Sequence, residues 1–236
     1  MQTINIQPIE KQSLREDGFI ELNSLFYTIQ GEGIFAGRPA VFVRLAGCNL
    51  QCPQCDTEYT ERTLVTTRYI VEKVKKATQH VVESSTSYNR MLVVITGGEP
   101  FRQNLKPLTD LLIKNNYTVQ IETNGTLYQE LHQSVFIVCS PKTGSIHPKM
   151  KERANAFKYV LDHDKLDVDG LPLITLGHPN SGTVYKAQNE FVDVFVQPAD
   201  NKDPVINKLN LEAAKESAMK FNRILCIQIH KEIGVE

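Results

Sequence analysis

Seven short, almost continuously apolar runs recur along the chain, and they restrict its fold more than any other feature. Strands that are buried on both faces, as in a parallel sheet covered by helices, have this pattern. Between the runs, apolar residues recur at helical spacing, as in the stripe formed by Ile70, Val74, Ala77 and Val81. The apolar runs are 39–46, 91–96, 117–122, 134–139, 156–161, 191–197 and 223–229. This alternation predicts an α/β fold of mostly parallel strands, open or curled into a partial (β/α) barrel, with functional loops at the carboxyl ends of the strands.

The length and charge of the chain indicate one domain that acts on a small partner. The 236 residues carry a net charge of -1, which provides no global basic field for binding nucleic acid or an anionic membrane. The sequence contains neither a long uncharged apolar stretch nor a signal-peptide pattern. We therefore expect a cytoplasmic protein with no membrane and no nucleic-acid partner. Residues 1–22 are predicted to be an N-terminal extension and 23–236 a single domain, with an irregular excursion at 168–190.

Three of the five cysteines lie in the segment CNLQCPQC, as Cys48, Cys52 and Cys55. They are too close together for an ordinary disulfide framework, so a metal site in a reducing compartment is favoured. Structural zinc needs four ligands, and a second pair is missing, while a catalytic zinc normally shares its site with a carboxylate or a histidine. An iron–sulfur cluster held by three thiolates leaves one iron open for chemistry. The other two cysteines lie in apolar runs and are predicted to be buried: Cys139 and Cys226.

Polar segments follow several of the apolar runs. They are TGGEP (96–100), IETNG (121–125), CSPK (139–142) and QP (197–198). Taken singly, each is typical of a cap or a turn. Because parallel strands end at one edge of a sheet, Glu122, Asn124, Ser140 and Lys142 are expected on the same rim as the cysteines. Their shared position favours a functional site.

The cysteine spacing, after a strand and a glycine, resembles the signature of radical S-adenosylmethionine (SAM) enzymes. TGGEP is similar to the glycine-rich segment with which that family receives the methionine amino group of SAM. The resemblance implies that Cys48, Cys52 and Cys55 bind three irons of a 4Fe-4S cluster and that SAM takes the fourth, to be cleaved to a 5′-deoxyadenosyl radical. The chain departs from the family at Gln54, where an aromatic residue usually lies near the adenine. The adenine contact then falls to the backbone or to Tyr59.

Further segments resemble one branch of these enzymes, the 7-carboxy-7-deazaguanine synthase family of queuosine and deazapurine biosynthesis. They are IQGEG, CDT and QIHK, and the likeness runs from about residue 24 to the last residue. The resemblance implies a lyase that contracts the ring of 6-carboxy-5,6,7,8-tetrahydropterin to 7-carboxy-7-deazaguanine with loss of ammonia, assisted by Mg²⁺. The SAM-derived radical carries out the chemistry and no side chain is catalytic. A flavodoxin-like or ferredoxin-like one-electron donor and a homodimer are also implied.

The same resemblance divides the expected site residues into three groups. The Mg²⁺ ligand is Thr57. The residues expected to bind SAM are Gly97, Gly98, Glu99, Glu122, Asn124, Ser140, Lys142 and Gln197. The residues expected to bind the substrate are Gln30, Glu32, Arg44, Thr96, His230 and Glu236. Within the last group, Gln30 and Glu32 are assigned to the pterin edge and Arg44 to the carboxylate.

Two alternatives remain open at this point. A radical SAM activase that acts on a glycyl site of a protein has the same cysteine spacing, but it has no use for Glu32, Thr57 or a tail ending after QIHK. A non-catalytic iron–sulfur or other metal-binding protein also uses exposed thiolates. The cysteines alone do not distinguish these functions.

Overall fold

The computed structural model describes residues 4–81, 90–178, 183–188 and 191–235. The strands in these residues, in chain order, are β1 (Phe19–Ile29), β2 (Pro39–Leu45), β3 (Thr63–Thr66), β4 (Leu92–Gly97), β5 (Thr118–Thr123), β6 (Phe136–Cys139), β7 (Ala156–Leu161), β8 (Asp193–Pro198) and β9 (Ile224–Leu225). They form one sheet in the order β3-β1-β2-β4-β5-β6-β7-β8-β9. Neighbours from β2 to β9 are parallel, whereas β1 is antiparallel to both β2 and β3. The predicted α/β fold of mostly parallel strands is confirmed as an open sheet.

Helices alternate with the parallel strands. In the described residues they are α1 (Thr67–Thr78), α2 (Lys106–Lys114), α3 (Pro148–Arg153), α4 (Pro204–Phe221) and α5 (Ile229–Glu232). The Asp203 side chain accepts hydrogen bonds from the first backbone N–H groups of α4 and so fixes where that helix begins. No helix among the described residues has the length and apolar character needed to span a membrane.

Side chains alternate between the two faces of the sheet. On β2, Val41 and Val43 are buried in the main core together with residues of the covering helices, such as Ile70. Phe42 and Arg44 alternate with them and point to the opposite face, where they line a cavity. One face of the sheet therefore packs against helices, and the other carries the polar groups of a site.

The structure differs from the predicted elements in several places, and the sequence prediction included neither β3 nor α3. The sequence prediction missed β1, because polar residues interrupt its apolar pattern, as is common in a partly exposed antiparallel strand. The run 223–229 forms only the two-residue strand β9 and then enters α5. The helix α1 ends at Thr78, so Val81 lies beyond it. The described parts of the 168–190 excursion contain no helix or strand, as predicted.

Candidate active site

A cavity of about 300 Å³ opens at the carboxyl ends of the parallel strands. Most of the site residues predicted from the sequence line this cavity. They are Gln30, Glu32, Arg44, Cys55, Thr57, Thr96, Gly97, Gly98, Glu122, Asn124, Ser140, Lys142, Gln197 and His230. Cys48, Cys52 and Glu99 are not part of the lining, and Glu236 lies outside the described residues.

Residues 46–57, here called the cysteine loop, connect β2 to the segment before β3. Cys48 and Cys52 are 9% and 8% exposed, and Cys55 reaches the cavity. All three thiols are free. Burial raises the pKa of Cys48 to about 12 and that of Cys52 to about 11, so both thiols hold their protons until a metal displaces them. The Leu50 backbone N–H already donates to Cys48 Sγ at 3.5 Å.

The paired glycines of TGGEP allow β4 to approach the cysteine loop closely. A Cβ added to Gly97, whose φ is +142°, would lie 2.0 Å from the Leu45 carbonyl oxygen. A Cβ on Gly98 would lie 2.2 Å from the Gly47 carbonyl oxygen and 2.8 Å from Cys48 Cβ. The backbone N–H of Glu99 donates to the same Gly47 oxygen at 3.0 Å. The close packing of the β4 end against the backbone of residues 45–48 therefore requires glycine at both positions, whether or not they also contact a ligand.

The Glu99 side chain joins the ends of β4 and β5. Its buried carboxylate accepts hydrogen bonds from Phe101 N at 3.0 Å, Thr123 Oγ1 at 2.7 Å and Asn124 N at 2.8 Å. Burial raises the pKa of Glu99 to about 7 against the effect of these hydrogen bonds. The side chain is thus occupied in holding the two strand ends together.

Arg44 lines the cavity and carries one unsatisfied buried donor. Its guanidinium lies over the Phe26 ring, with 5.3 Å between the guanidinium carbon and the ring centroid. The Arg44 Nε is buried and has no hydrogen-bond partner. A buried donor without a partner costs free energy, and an anionic ligand in the cavity would remove that cost.

Glu32 lies in a buried ring of donors that comes from distant parts of the chain. Its carboxylate forms an ion pair with Lys158 and accepts hydrogen bonds from Gln228 Nε2 at 2.7 Å and Gln197 Nε2 at 3.2 Å. Burial opposes ionisation of Glu32, but the attraction of Lys158 and these hydrogen bonds outweigh it and lower the pKa to about 2. Glu32 is therefore ionised at neutral pH.

Glu122 shares the same cation. Its carboxylate lies 3.5 Å from Lys158 Nζ and accepts hydrogen bonds from Gln30 Nε2 at 2.9 Å and Gln120 Nε2 at 3.1 Å. Burial lowers the pKa of Lys158, but Glu122 and Glu32 act more strongly together and raise it above its ordinary value. One buried lysine thus compensates two carboxylates on the cavity wall.

Two other predicted residues bind each other at the end of β6. Lys142 Nζ donates to the Ser140 carbonyl oxygen at 3.0 Å and to Ser140 Oγ at 2.5 Å. Burial lowers the pKa of Lys142. The neighbouring Asn124 binds the cysteine loop directly, through a 3.0 Å hydrogen bond from its Nδ2 to Asn49 Oδ1. The strand ends therefore fix the cysteine loop in position.

The C-terminal segment returns to the cavity at His230. Its ring packs so closely on Gly31 that a Cβ there would lie 1.9 Å from His230 Nδ1. The Ile229 N–H donates to the Gly31 carbonyl oxygen at 3.3 Å. Burial lowers the pKa of His230, which favours the neutral imidazole near pH 7. Thr57 lines another part of the wall, where its hydroxyl donates to Asp56 Oδ1 at 3.3 Å.

Some site residues were missed by sequence reasoning. Lys158 was read as part of an apolar run, although a lysine in the middle of AFKYVL was a signal of a buried charge. Leu176, in the 168–190 excursion, lines the cavity with a left-handed φ of +49°, and its carbonyl oxygen accepts from Gln54 N at 3.0 Å. Tyr59 is buried and is not part of the lining, so the cavity wall beside Gln54 comes from the excursion.

Comparison with known proteins identifies the family to which the chain belongs. Residues 29–146 match the family model described as a 4Fe-4S single cluster domain. The chain is 39% identical over 223 residues to a 7-carboxy-7-deazaguanine synthase of Rickettsia prowazekii, which covers 92% of this chain and 89% of the relative. It is 38% identical to the enzyme of that name in Escherichia coli, over 91% of this chain and 98% of the relative. The chain belongs to the 7-carboxy-7-deazaguanine synthase family. The crystal structure of QueE from Escherichia coli superposes with a TM-score of 0.67 at 27% identity, covering 89% of this chain and 94% of that one.

The 7-carboxy-7-deazaguanine synthase family uses radical SAM chemistry, with a 4Fe-4S cluster and SAM as cofactors. The cysteine loop fits such a cluster, because three free thiols, which are soft donors, lie on one loop beside a cavity. Among the described residues no group of three or more His, Cys, Asp or Glu is arranged to hold a single metal ion. A cluster differs from a single ion in that each cysteine binds a different iron.

Proposed function

We propose that this chain is a 7-carboxy-7-deazaguanine synthase, a lyase that converts 6-carboxy-5,6,7,8-tetrahydropterin to 7-carboxy-7-deazaguanine and ammonia. The observation that carries the proposal is the composition of the cavity wall. It combines Cys55 of the cysteine loop with the Arg44 guanidinium, whose Nε has no hydrogen-bond partner, and the ionised Glu32 carboxylate. A substrate with a carboxylate at one end and N–H donors at the other matches these charges.

Cys48, Cys52 and Cys55 are the proposed ligands of the cluster. When bound, the cluster and SAM would supply the radical chemistry that acts at C6 of the substrate, with SAM serving as a cofactor. The residues proposed to hold SAM are Gly97, Gly98, Glu99, Glu122, Asn124, Ser140, Lys142 and Gln197. Glu99 and Asn124 would also support the SAM site indirectly. Their side chains fix the strand ends and the cysteine loop that surround it.

The pterin end of the substrate is assigned to Gln30 and Glu32, and the carboxylate to Arg44. An ionised carboxylate accepts hydrogen bonds only, so Glu32 suits the amino and ring N–H groups of a pterin. The Arg44 guanidinium suits a carboxylate as a planar fork and has a free buried donor to offer. Arg44 lies on β2 beside Thr96 of β4, whereas Glu32 contacts β7 and β8. The two charges therefore lie on different parts of the sheet and orient a substrate between them.

The protein's main tasks are positioning and exclusion of water. Lys158 forms ion pairs with both Glu32 and Glu122, so both carboxylates are held in a fixed position on the cavity wall. His230 and the expected contact of Glu236 bring the C-terminal segment over the substrate. Side chains fixed in this way would hold the substrate in one orientation relative to the cofactor.

Mg²⁺ is proposed to bind at Thr57, with oxygens of the substrate and water completing its shell. The hydroxyl lines the cavity next to the Asp56 carboxylate, and hard oxygen donors suit this ion. The ion would help to orient the substrate carboxylate. A one-electron donor of the flavodoxin or ferredoxin type and a homodimeric assembly complete the proposal.

The test is a product assay on protein reconstituted anaerobically with iron and sulfide. The reaction contains dithionite, SAM, Mg²⁺ and 6-carboxytetrahydropterin, and mass spectrometry detects 7-carboxy-7-deazaguanine. Its formation by the wild type, and its loss in Cys52→Ala, is the expected result. Cleavage of SAM without this product would overturn the substrate assignment. Absence of SAM cleavage by a fully loaded cluster would overturn the radical mechanism.

A further inference from the structure

Residues 4–13, the N-terminal clamp, run along the cysteine loop on the side away from the cavity. Ile9 pairs with Cys48 as an isolated parallel bridge, and the Glu10 N–H donates to the Cys48 carbonyl oxygen at 2.7 Å. The sequence alone predicted no role for this N-terminal segment. In the structure it contacts the backbone of Cys48, a proposed cluster ligand.

Asn5 binds the middle of the cysteine loop. Its Nδ2 donates to the Cys52 carbonyl oxygen at 3.1 Å and to the Tyr59 hydroxyl at 3.3 Å. Its backbone N–H donates to the Pro53 carbonyl oxygen at 2.9 Å. The backbone around the second cysteine is thus fixed by one asparagine from outside the loop.

Gln7 binds the end of the loop and the residues that follow it. Its Nε2 donates to the Thr57 carbonyl oxygen at 2.9 Å, and its Oε1 accepts from Tyr59 N at 2.7 Å. The Gln7 carbonyl oxygen accepts from Gln51 Nε2 at 2.6 Å. The Gln7 side-chain amide therefore satisfies one backbone acceptor and one backbone donor at the end of the cysteine loop, as a neighbouring strand would.

The clamp is itself anchored. Glu10 forms ion pairs with Arg62 at 2.5 Å and with the buried Arg102 at 3.2 Å. The Ser13 N–H donates to the Arg102 carbonyl oxygen at 2.7 Å. Ile4 and Ile6, which alternate with Asn5 and Gln7, are exposed. The segment thus turns its amides toward the cysteine loop and its apolar side chains away from it.

These contacts occupy loop carbonyl oxygens at the first and second cysteines and at Thr57. A loop held by its carbonyls has less conformational entropy to lose when it closes around a cluster. Shielding on this side also limits access of solvent and oxidants to the cluster. We propose that residues 5–10 hold the cysteine loop in its cluster-binding shape and that Asn5 and Gln7 are positioning residues for the iron–sulfur cluster.

This inference rests on the cluster of the proposed function but not on the identity of the substrate. The test compares wild type, Asn5→Ala, Gln7→Ala and Gln12→Ala after anaerobic reconstitution. Gln12 is the matched control, because it lies in the same segment and its Nε2 donates to the Phe101 carbonyl oxygen, away from the cysteine loop. Iron and sulfide content, the reduction potential of the cluster and the rate at which its visible absorbance bleaches in air are measured.

Asn5→Ala removes three side-chain hydrogen bonds and Gln7→Ala removes two, and each variant is expected to bleach about fivefold faster than wild type. Both are expected to shift the reduction potential, while Gln12→Ala behaves as wild type. Gln7→Glu keeps the acceptor for Tyr59 N but turns a carboxylate oxygen toward the Thr57 carbonyl oxygen, so it is expected to bleach at least as fast as Gln7→Ala. Thermal unfolding of the iron-free proteins separates this effect from general instability.

Equal bleaching rates and reduction potentials in all four proteins would overturn the proposal that Asn5 and Gln7 position the cysteine loop. Bleaching of Gln12→Ala as fast as that of Gln7→Ala would also overturn it, because the effect would then reflect stability of the whole N-terminus. A wild-type chain that binds no iron would instead contradict the proposed function on which the inference rests.

Discussion

Lys158 forms a buried ion pair with Glu32, a residue 126 positions earlier in the chain, and also lies 3.5 Å from Glu122. The pair joins β7 to the turn after β1 and closes one side of the cavity. Lys158→Met would leave two partly buried carboxylates without a cation, and since removing one partner of a fully buried pair costs about 3–5 kcal/mol, a loss at or below the lower end of that range is expected. Denaturant unfolding of the iron-free protein should show a loss of this size. The double variant Lys158→Met, Glu32→Gln should recover part of it, and an unchanged free energy of unfolding in the single variant would contradict the description of the pair.

The acid stability of the fold should depend on Glu32. Its pKa is about 2 in the folded protein against an ordinary value of 4.5. A group with a lowered folded-state pKa stabilises the fold fully above its unfolded pKa, and this contribution is lost as the pH falls from about 4.5 towards 2. Wild type should therefore lose stability over this range more steeply than Glu32→Gln. Thermal midpoints measured by circular dichroism across the range would test this, and parallel curves would count against it.

Arg44 should determine affinity for the substrate. Hydrogen bonds to charged groups contribute about 1.5–3 kcal/mol, so Arg44→Ala is expected to raise KM by roughly ten- to a hundredfold. The cluster content should not change. Arg38→Ala is the matched control, because the Arg38 guanidinium donates to the Arg90 carbonyl oxygen at the surface and does not line the cavity. A KM for Arg44→Ala equal to that of Arg38→Ala would remove Arg44 from substrate binding.

The Mg²⁺ proposal predicts a difference between two substitutions of one residue. Thr57→Ser keeps a hydroxyl and should retain stimulation of product formation by Mg²⁺. Thr57→Val has nearly the same shape without the hydroxyl and should lose most of that stimulation. Titration of the rate with Mg²⁺ for both variants provides the measurement. If Thr57→Val responds as wild type does, the ion binds elsewhere or is not needed.

Gly98 should be essential for cluster assembly. In Gly98→Ala the new methyl group would meet the Gly47 carbonyl oxygen at 2.2 Å and Cys48 Cβ at 2.8 Å, so the cysteine loop must shift. Iron content after reconstitution is expected to fall well below that of wild type. Gly37→Ala serves as the control, because Gly37 has a φ of +87° but no atom within 4 Å of an added Cβ, so strain there should lower stability without affecting iron. Full iron loading of Gly98→Ala would show that the loop tolerates the shift.

The sequence predicted much of the parallel sheet and of the rim, because buried strands and the loops after them are local patterns. It did not reveal Lys158 as part of the site, since the ion pair with Glu32 joins residues 126 positions apart in the chain. It assigned Glu99 to SAM by motif and did not reveal that the carboxylate also binds Phe101, Thr123 and Asn124. The sequence did not predict the contacts of Asn5 and Gln7 either. Their side-chain amides bind backbone groups 47 and 50 positions away, and such long-range contacts leave no periodic pattern in the sequence.

The central claim is that a radical formed at the cysteine loop removes the C6 hydrogen of a carboxylated pterin held between Arg44 and Glu32. Its most direct test uses 6-carboxytetrahydropterin labelled with deuterium at C6, under the anaerobic conditions given above. Because SAM is regenerated in the proposed reaction, deuterium should appear in the recovered SAM while 7-carboxy-7-deazaguanine accumulates, and neither should occur with Cys52→Ala. Product formed without deuterium in SAM, or deuterium in SAM without that product, would contradict the account.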